Sequence, residues 1–150
     1  MITHYLNKNS FCAKVYLEVR NLFKLSCIAN KFCKYNTIVL NDRKAGFFSI
    51  FFQTIAAINV CKWNKQILKL NYTKGPYYDP RENTSSWWAN YFKQFEYDFS
   101  KTRRDIHKIM YIEDYEIMRR LAYAGTEMNK CRAIKLMQLL VLKYDIQEEI

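Results

Sequence analysis

Glycine and proline are scarce, three and two in 150 residues. So few breaks exclude a collagen-like or Pro/Gly-rich low-complexity chain. They also concentrate the punctuation, because Gly75-Pro76-Tyr77-Tyr78-Asp79-Pro80 holds both prolines and reads as a structured turn region. Histidine is as rare: His4 and His107 are the only two, and neither lies close to a cysteine. The five cysteines, Cys12, Cys27, Cys33, Cys61 and Cys131, contain no Cys-x-x-Cys pair. That leaves no zinc-ligand spacing, and an odd count fits reduced thiols better than a disulfide framework. No metal and no cofactor is expected. The first ten residues carry no apolar core followed by a small-residue cleavage site, so no secretory signal is expected. The sequons at Asn71 and Asn83 then have no consequence. The expected compartment is the cytoplasm, with peripheral contact at a membrane as the one extension.

A long hydrophobic run is missing too. Residues 45–61, AGFFSIFFQTIAAINVC, form the one uncharged stretch that invites a membrane reading, between Lys44 and Lys62. At about 1.5 Å per residue this helix falls short of a ~30 Å hydrocarbon core, and Gln53, Thr54 and Asn59 lie inside it. A buried helix of an α/β sandwich explains the same residues.

What is present is a chain that should fold: half the residues are apolar and 17% are aromatic. The length suits a single domain over residues 1–150. Cys12, Val15, Tyr16, Val19, Leu22, Phe23 and Cys27 recur at three- and four-residue steps, which predicts an amphipathic helix within residues 1–35. Thr37-Ile38-Val39-Leu40 reads as a buried strand, with a turn at Asn41-Asp42. Gly46-Phe47-Phe48-Ser49 opens a long buried helix to about Asn64, and Gln66 to Leu70 gives a second strand. Strand, short loop, helix, strand is a β-α-β unit. The expected fold class is therefore α/β, a Rossmann-like β-α-β half domain with additional helices and a helix-rich C-terminal third. A helix capped by Ser85 or Ser86 is expected to carry Trp87, Trp88, Tyr91, Phe92 and Phe95. Asp114 to Tyr123 and Lys130 to Ile150 are expected as further helices, with Gly125 as the break and residues 134–142 as a buried face.

Charge is uneven. Lys and Arg number 24 against 14 Asp and Glu, a net +10, and residues 1–44 alone hold a surplus of six. One reading that follows is a small basic binding module for nucleic acid or an anionic membrane surface, using Lys14, Arg20, Lys24, Lys31 and Lys34.

Two places suggest ligand chemistry. The loop Asp42-Arg43-Lys44-Ala45-Gly46 sits where β-α-β folds place ligands, at a strand's carboxyl end and a helix N-terminus. There Gly46 permits close backbone approach, and Arg43 offers a charge-assisted contact to an anion. The second place is the aromatic segment from Tyr77 to Phe95. Aromatic rings beside carboxylates and amides suit sugars, which present apolar faces for stacking and hydroxyls for hydrogen bonds. Trp88, Phe92 and Phe95 are assigned to the core, and Tyr77, Tyr78 and Trp87 to a ligand. No nucleophile constellation emerges. The basic residues around His107 read as a solvated turn, and Glu113, Asp114 and Glu116 as acids complementing a helix dipole.

The order of a strand ending at Asp42, Gly46-Phe47-Phe48-Ser49 opening a long helix, a second strand, Tyr77-Tyr78-Asp79-Pro80, then Trp87-Trp88-Ala89-Asn90-Tyr91-Phe92 resembles the N-terminal part of fucosyltransferase-like glycosyltransferases of the GT-B type. The resemblance spans roughly residues 37–150. It implies an acceptor-side domain of an enzyme that moves a sugar from a nucleotide-sugar donor to an acceptor hydroxyl. On that resemblance Arg43 and Gly46 line an interdomain cleft, while Tyr77, Tyr78, Asp79 and Trp87 shape the acceptor side. The family's donor signature, a histidine followed closely by Arg-Gly-Thr-Asp, has no counterpart. Gly125-Thr126-Glu127 lacks its histidine and arginine. The resemblance therefore implies a truncated form, inactive alone, whose partners are an acceptor glycan or other hydroxyl substrate, a second half carrying the donor site, or another copy of itself.

Overall fold

A computed structural model describes residues 11–81, 86–93, 96–100 and 108–140 of the chain. Strand β1 (Thr37–Asn41) lies at the centre, and its β-branched run is buried on both faces, as a central parallel strand requires. Helix α2 (Phe47–Asn64) follows it, then strand β2 (Ile67–Asn71), which pairs parallel to β1 with Thr37 opposite Ile67 and Asn41 opposite Asn71. The β-α-β unit is thus present, and the fold class is α/β.

Helix α2 is buried on most of its circumference, through Ile50, Ile55, Ala56, Ala57, Ile58, Val60 and Cys61. Its buried polar side chains are satisfied: Thr54 Oγ1 donates to the Ile50 carbonyl at 2.8 Å, and Gln53 Nε2 donates to the Asn41 carbonyl at 3.1 Å. Satisfied in this way, they cost little to bury. Among the described residues no helix is long and apolar enough to cross a membrane. The helix ends at Lys65, a non-glycine residue at φ 58°, while the Gln66 N–H closes back on the Cys61 carbonyl at 2.9 Å.

Helix α1 (Phe11–Phe32) packs on α2, where Asn64 Nδ2 donates to the Ala29 carbonyl at 2.9 Å. Gln66 Nε2 fastens its end by donating to the Phe32 and Tyr35 carbonyls at 2.6 and 2.7 Å. The helix is where the sequence predicts it, but the buried face is another one. Leu25, Ile28, Ala29 and Phe32 enter the core, whereas Val15, Tyr16, Val19 and Phe23 are exposed. Both stripes obey helical spacing, so periodicity alone could not choose between them.

Two strands were not expected. Strand β3 (Glu96–Asp98) pairs antiparallel to β2, with an ion pair between Lys69 and Glu96 at 3.3 Å. Strand β4 (Ile109–Ile112) pairs parallel to β1 on its other side, giving the order β3-β2-β1-β4. At three and four residues, neither is long enough to show an alternation in the sequence. The helix expected around the tryptophans is a single 3-10 turn, Trp87–Asn90, because the chain must straighten within a few residues to enter β3.

Helix α3 (Tyr115–Thr126) starts at Asp114, whose carboxylate accepts from the Glu116 and Ile117 N–H groups, the dipole-complementing role expected of this acid. The helix ends at Thr126, and the break expected at Gly125 falls just beyond it, at residues 127–129. A side chain at Gly125 would collide with the backbone carbonyl of Phe52, so this glycine exists for close approach between α2 and α3. Helix α4 (Lys130–Met137) buries Leu136, with Leu140 following, and leaves Ile134 exposed. Helix α4 gives way to a turn at residues 138–140, so the helix expected to run on from Lys130 to Ile150 ends at Met137; Phe95, the basic segment 101–107 and the residues beyond 140 lie outside the described residues.

Candidate functional site

The parallel strands β1, β2 and β4 all point their carboxyl ends at one edge of the sheet, and the loops on that edge are tied together by Asp42. Its side chain is 9% exposed. Oδ2 accepts from the Gly75 N–H at 2.5 Å and from the Trp87 indole N–H at 2.7 Å, and Oδ1 accepts from the Lys74 N–H at 3.2 Å. A buried carboxylate with three donors anchors the Gly75-Pro76 turn and the tryptophan turn to the end of β1. A Cβ at Gly75 would strike the Asp42 carboxylate, which explains the glycine there.

Trp87 is fully buried. Its ring stacks on Tyr72 with centroids 5.5 Å apart, and Tyr72 in turn shares a 2.6 Å hydrogen bond with Thr54. Burial raises the Tyr72 phenol well above its usual range, so it stays protonated. The assignment of Trp87 to a ligand is therefore corrected: its N–H is spent on Asp42 and its faces on neighbouring rings. Trp88 and Phe92, stacked 4.3 Å apart, are core as expected.

Arg43 is also only 9% exposed. Its Nε donates to Gln53 Oε1 at 3.0 Å, its terminal nitrogen donates to Ser49 Oγ at 2.5 Å, and its guanidinium lies 5.3 Å from the centre of the Tyr115 ring. The guanidinium expected to meet an anion instead clamps the first turns of α2 and props Tyr115, which is exposed, at the start of α3. Gly46 is the N-cap of α2, at φ −64°, with nothing near the position of a Cβ, so open space does lie beside it.

The exposed surface of this edge is aromatic. Tyr77 accepts at its hydroxyl from the Phe47 N–H at 2.6 Å, capping one of the unpaired donors of α2. Phe47 is the hub of the cluster, with Tyr77 at 6.0 Å, Tyr91 at 5.5 Å and Phe48 at 5.7 Å between ring centroids. Tyr77, Tyr78, Tyr91 and Phe48 all reach solvent. Asp79 holds Arg81 in a two-pronged ion pair, and the arginine hydrogen bond lowers the Asp79 carboxyl below its ordinary range.

The same sheet edge carries two amides, at the ends of β1 and β2, that the sequence reading did not single out. Asn71 Nδ2 donates to Asn41 Oδ1 at 2.7 Å, and Asn41 Nδ2 donates to the Ile112 carbonyl at 3.3 Å. The signal was available, because both parallel strands end in Leu-Asn and these ends stand opposite each other. Tyr91, Phe48 and Tyr115 were also unassigned to a ligand. Among the described residues no three His, Cys, Asp or Glu side chains gather as a metal site. Comparison with models of protein families, with curated proteins and with solved structures finds no match to this chain.

Proposed function

We propose that this chain is the acceptor-side domain of a glycosyltransferase, in keeping with the fucosyltransferase-like resemblance of residues 37–150. In this reading it holds a hydroxyl-bearing acceptor glycan in the cytoplasm, while the nucleotide-sugar donor is bound by a second half. The observation that carries the reading is the rim of exposed Tyr77, Tyr78, Tyr91 and Phe48 at the carboxyl edge of the parallel strands, the edge where the Asn41–Asn71 amide pair ends β1 and β2. Rings supply stacking faces for the apolar side of a sugar, and amides supply donors and acceptors for its hydroxyls. Arg43 and Asp79 enter as positioning groups, one holding α2 and the other the Tyr77–Pro80 loop.

The nucleic-acid reading is weaker on the geometry. Of the five cations invoked for it, Arg20 and Lys24 are both engaged by Glu127 at 2.8 Å. Titration with a panel of oligosaccharides, followed through tyrosine and tryptophan fluorescence and amide NMR shifts, tests the proposal. Shifts should map to residues 46–48, 77–79 and 91. Tyr78→Ala and Tyr91→Ala should each weaken binding by about three- to tenfold while the fold persists. Silence toward every glycan, together with steeply salt-dependent binding of a polynucleotide, would transfer the function to the basic module.

A further inference from the structure

The exposed side of α1 is the least water-compatible surface among the described residues. Phe11, Val15, Val19 and Phe23 stand at successive four-residue steps, and Phe11, Val19 and Phe23 are 80%, 60% and 70% exposed. Such residues form a ridge about 18 Å long at 1.5 Å per residue. A scatter of single apolar residues needs no explanation, but a continuous ridge does.

Each flank of the ridge drops into a groove rimmed by cations. On one side a groove of about 420 Å³ between α1 and α3 is lined by Phe23, Cys27, Ile28, Ile117 and Tyr123, with Lys24, Lys31, Arg120 and the acid Glu127 as its charged residues. On the other side Leu22 and the half-exposed Trp63 line a second groove with Lys62 and Arg132. The acids of this face are already neutralised: Glu127 pairs with Arg20 and Lys24, Glu116 pairs with Arg120 at 3.0 Å, and Glu18 faces Arg132 at 3.5 Å. Lys31 and Lys62 have no ion-pair partner among the described residues.

From this arrangement we infer that α1 is an in-plane docking element for an anionic lipid bilayer. The apolar ridge enters the headgroup boundary, and Lys31 and Lys62 on its flanks reach the lipid phosphates, the arrangement of an interfacial amphipathic helix. Charge decides between the possible occupants. Two copies meeting through this face would bring like cations together with no unpaired acid to answer them. A polynucleotide would satisfy the cations and could stack on Phe11 and Phe23, but would leave Val15 and Val19 unburied. An anionic bilayer satisfies both. The inference is independent of the sugar reading, since α1 and the aromatic rim are different surfaces.

Flotation of the full chain with vesicles of phosphatidylcholine alone or mixed with phosphatidylserine tests it. The chain should float with the mixed vesicles only. Val19→Asp with Phe23→Asp should abolish flotation, and Lys31→Glu with Lys62→Glu should weaken it by about fivefold or more for each cation. All four positions are exposed, so far-UV circular dichroism and the melting temperature should hold, and the lysine pair tests the idea even if the aspartates disturb folding. Failure to float with the mixed vesicles, equal flotation with neutral ones, or unchanged flotation of either double variant would overturn the inference. So would a dimer in solution that Phe23→Asp dissociates, or a polynucleotide that binds while vesicles do not.

Discussion

The indole N–H of Trp87 donates to Oδ2 of Asp42 at 2.7 Å, joining positions 45 apart in the chain within the buried interior. Through that bond, a loop rich in exposed tyrosines is held against the carboxyl ends of the parallel strands. The candidate sugar platform therefore depends on groups that never touch a ligand.

Removing the hub should be costly. Asp42→Ala leaves the Trp87 indole and the Gly75 N–H without a buried acceptor, an expected loss of about 3 kcal/mol. Trp87→Phe keeps most of the ring packing and loses one charge-assisted bond, an expected loss of about 2 kcal/mol. Urea unfolding followed by fluorescence should rank the two in that order. A variant lacking Asp42 that unfolds at the wild-type midpoint would show that the carboxylate holds nothing.

The two glycines of the α2 region make opposite predictions. Gly125→Ala must push α3 away from the Phe52 carbonyl, and overpacking of this kind costs about 1–3 kcal/mol. Gly46→Ala adds a methyl to open space at an ordinary φ, so the melting temperature should be unchanged or slightly raised. If a ligand approaches the Gly46 backbone, that same silent substitution should weaken glycan binding.

Much of the framework was legible in the sequence because it is local. Thr37-Ile38-Val39-Leu40 and the run from Phe47 to Asn64 state their structure within one segment, and Asn41-Asp42 marks the turn between them. Longer-range features were not. Choosing the core face of α1 requires knowing that Gln66 will seize the Phe32 and Tyr35 carbonyls and orient the helix. Trp87 looked available because its acceptor, Asp42, is remote in sequence, and Arg43 looked free because Gln53 and Ser49 become its partners only once α2 winds. Gly125 is a contact between helices, and nothing in its neighbours names Phe52.

Lys65 is the one described non-glycine residue with positive φ, at 58°. The left-handed conformation costs a residue with a Cβ about 1 kcal/mol, and Lys65 is exposed, so its side chain offsets little of that. Lys65→Gly should raise stability by about 0.5–1 kcal/mol. A calorimetric melting temperature below wild type would contradict this account of the α2 terminus.

Alkaline pH should unfold the protein, and the sign follows from three buried acids. Burial raises the thiol of Cys61 and the phenol of Tyr72 far above their usual ranges, and raises Tyr97 to about 12. In the unfolded chain the same groups ionise near their ordinary values, 9.0 for the thiol and 10.0 for the phenols. Between those values and the folded ones the unfolded state releases protons that the native state keeps, so stability falls as pH rises above about 9. Tyr97 alone should account for about 2 kcal/mol lost by pH 12. The melting temperature of Tyr97→Phe should therefore decline less between pH 10 and 12 than that of wild type. Thiol chemistry gives an independent check: Cys27, Cys33 and Cys131 are exposed and should alkylate in the native state, whereas Cys61 should react only on unfolding. Prompt modification of Cys61 at pH 8, or a stability profile flat to pH 12, would show that the core around α2 opens far more readily than its packing implies.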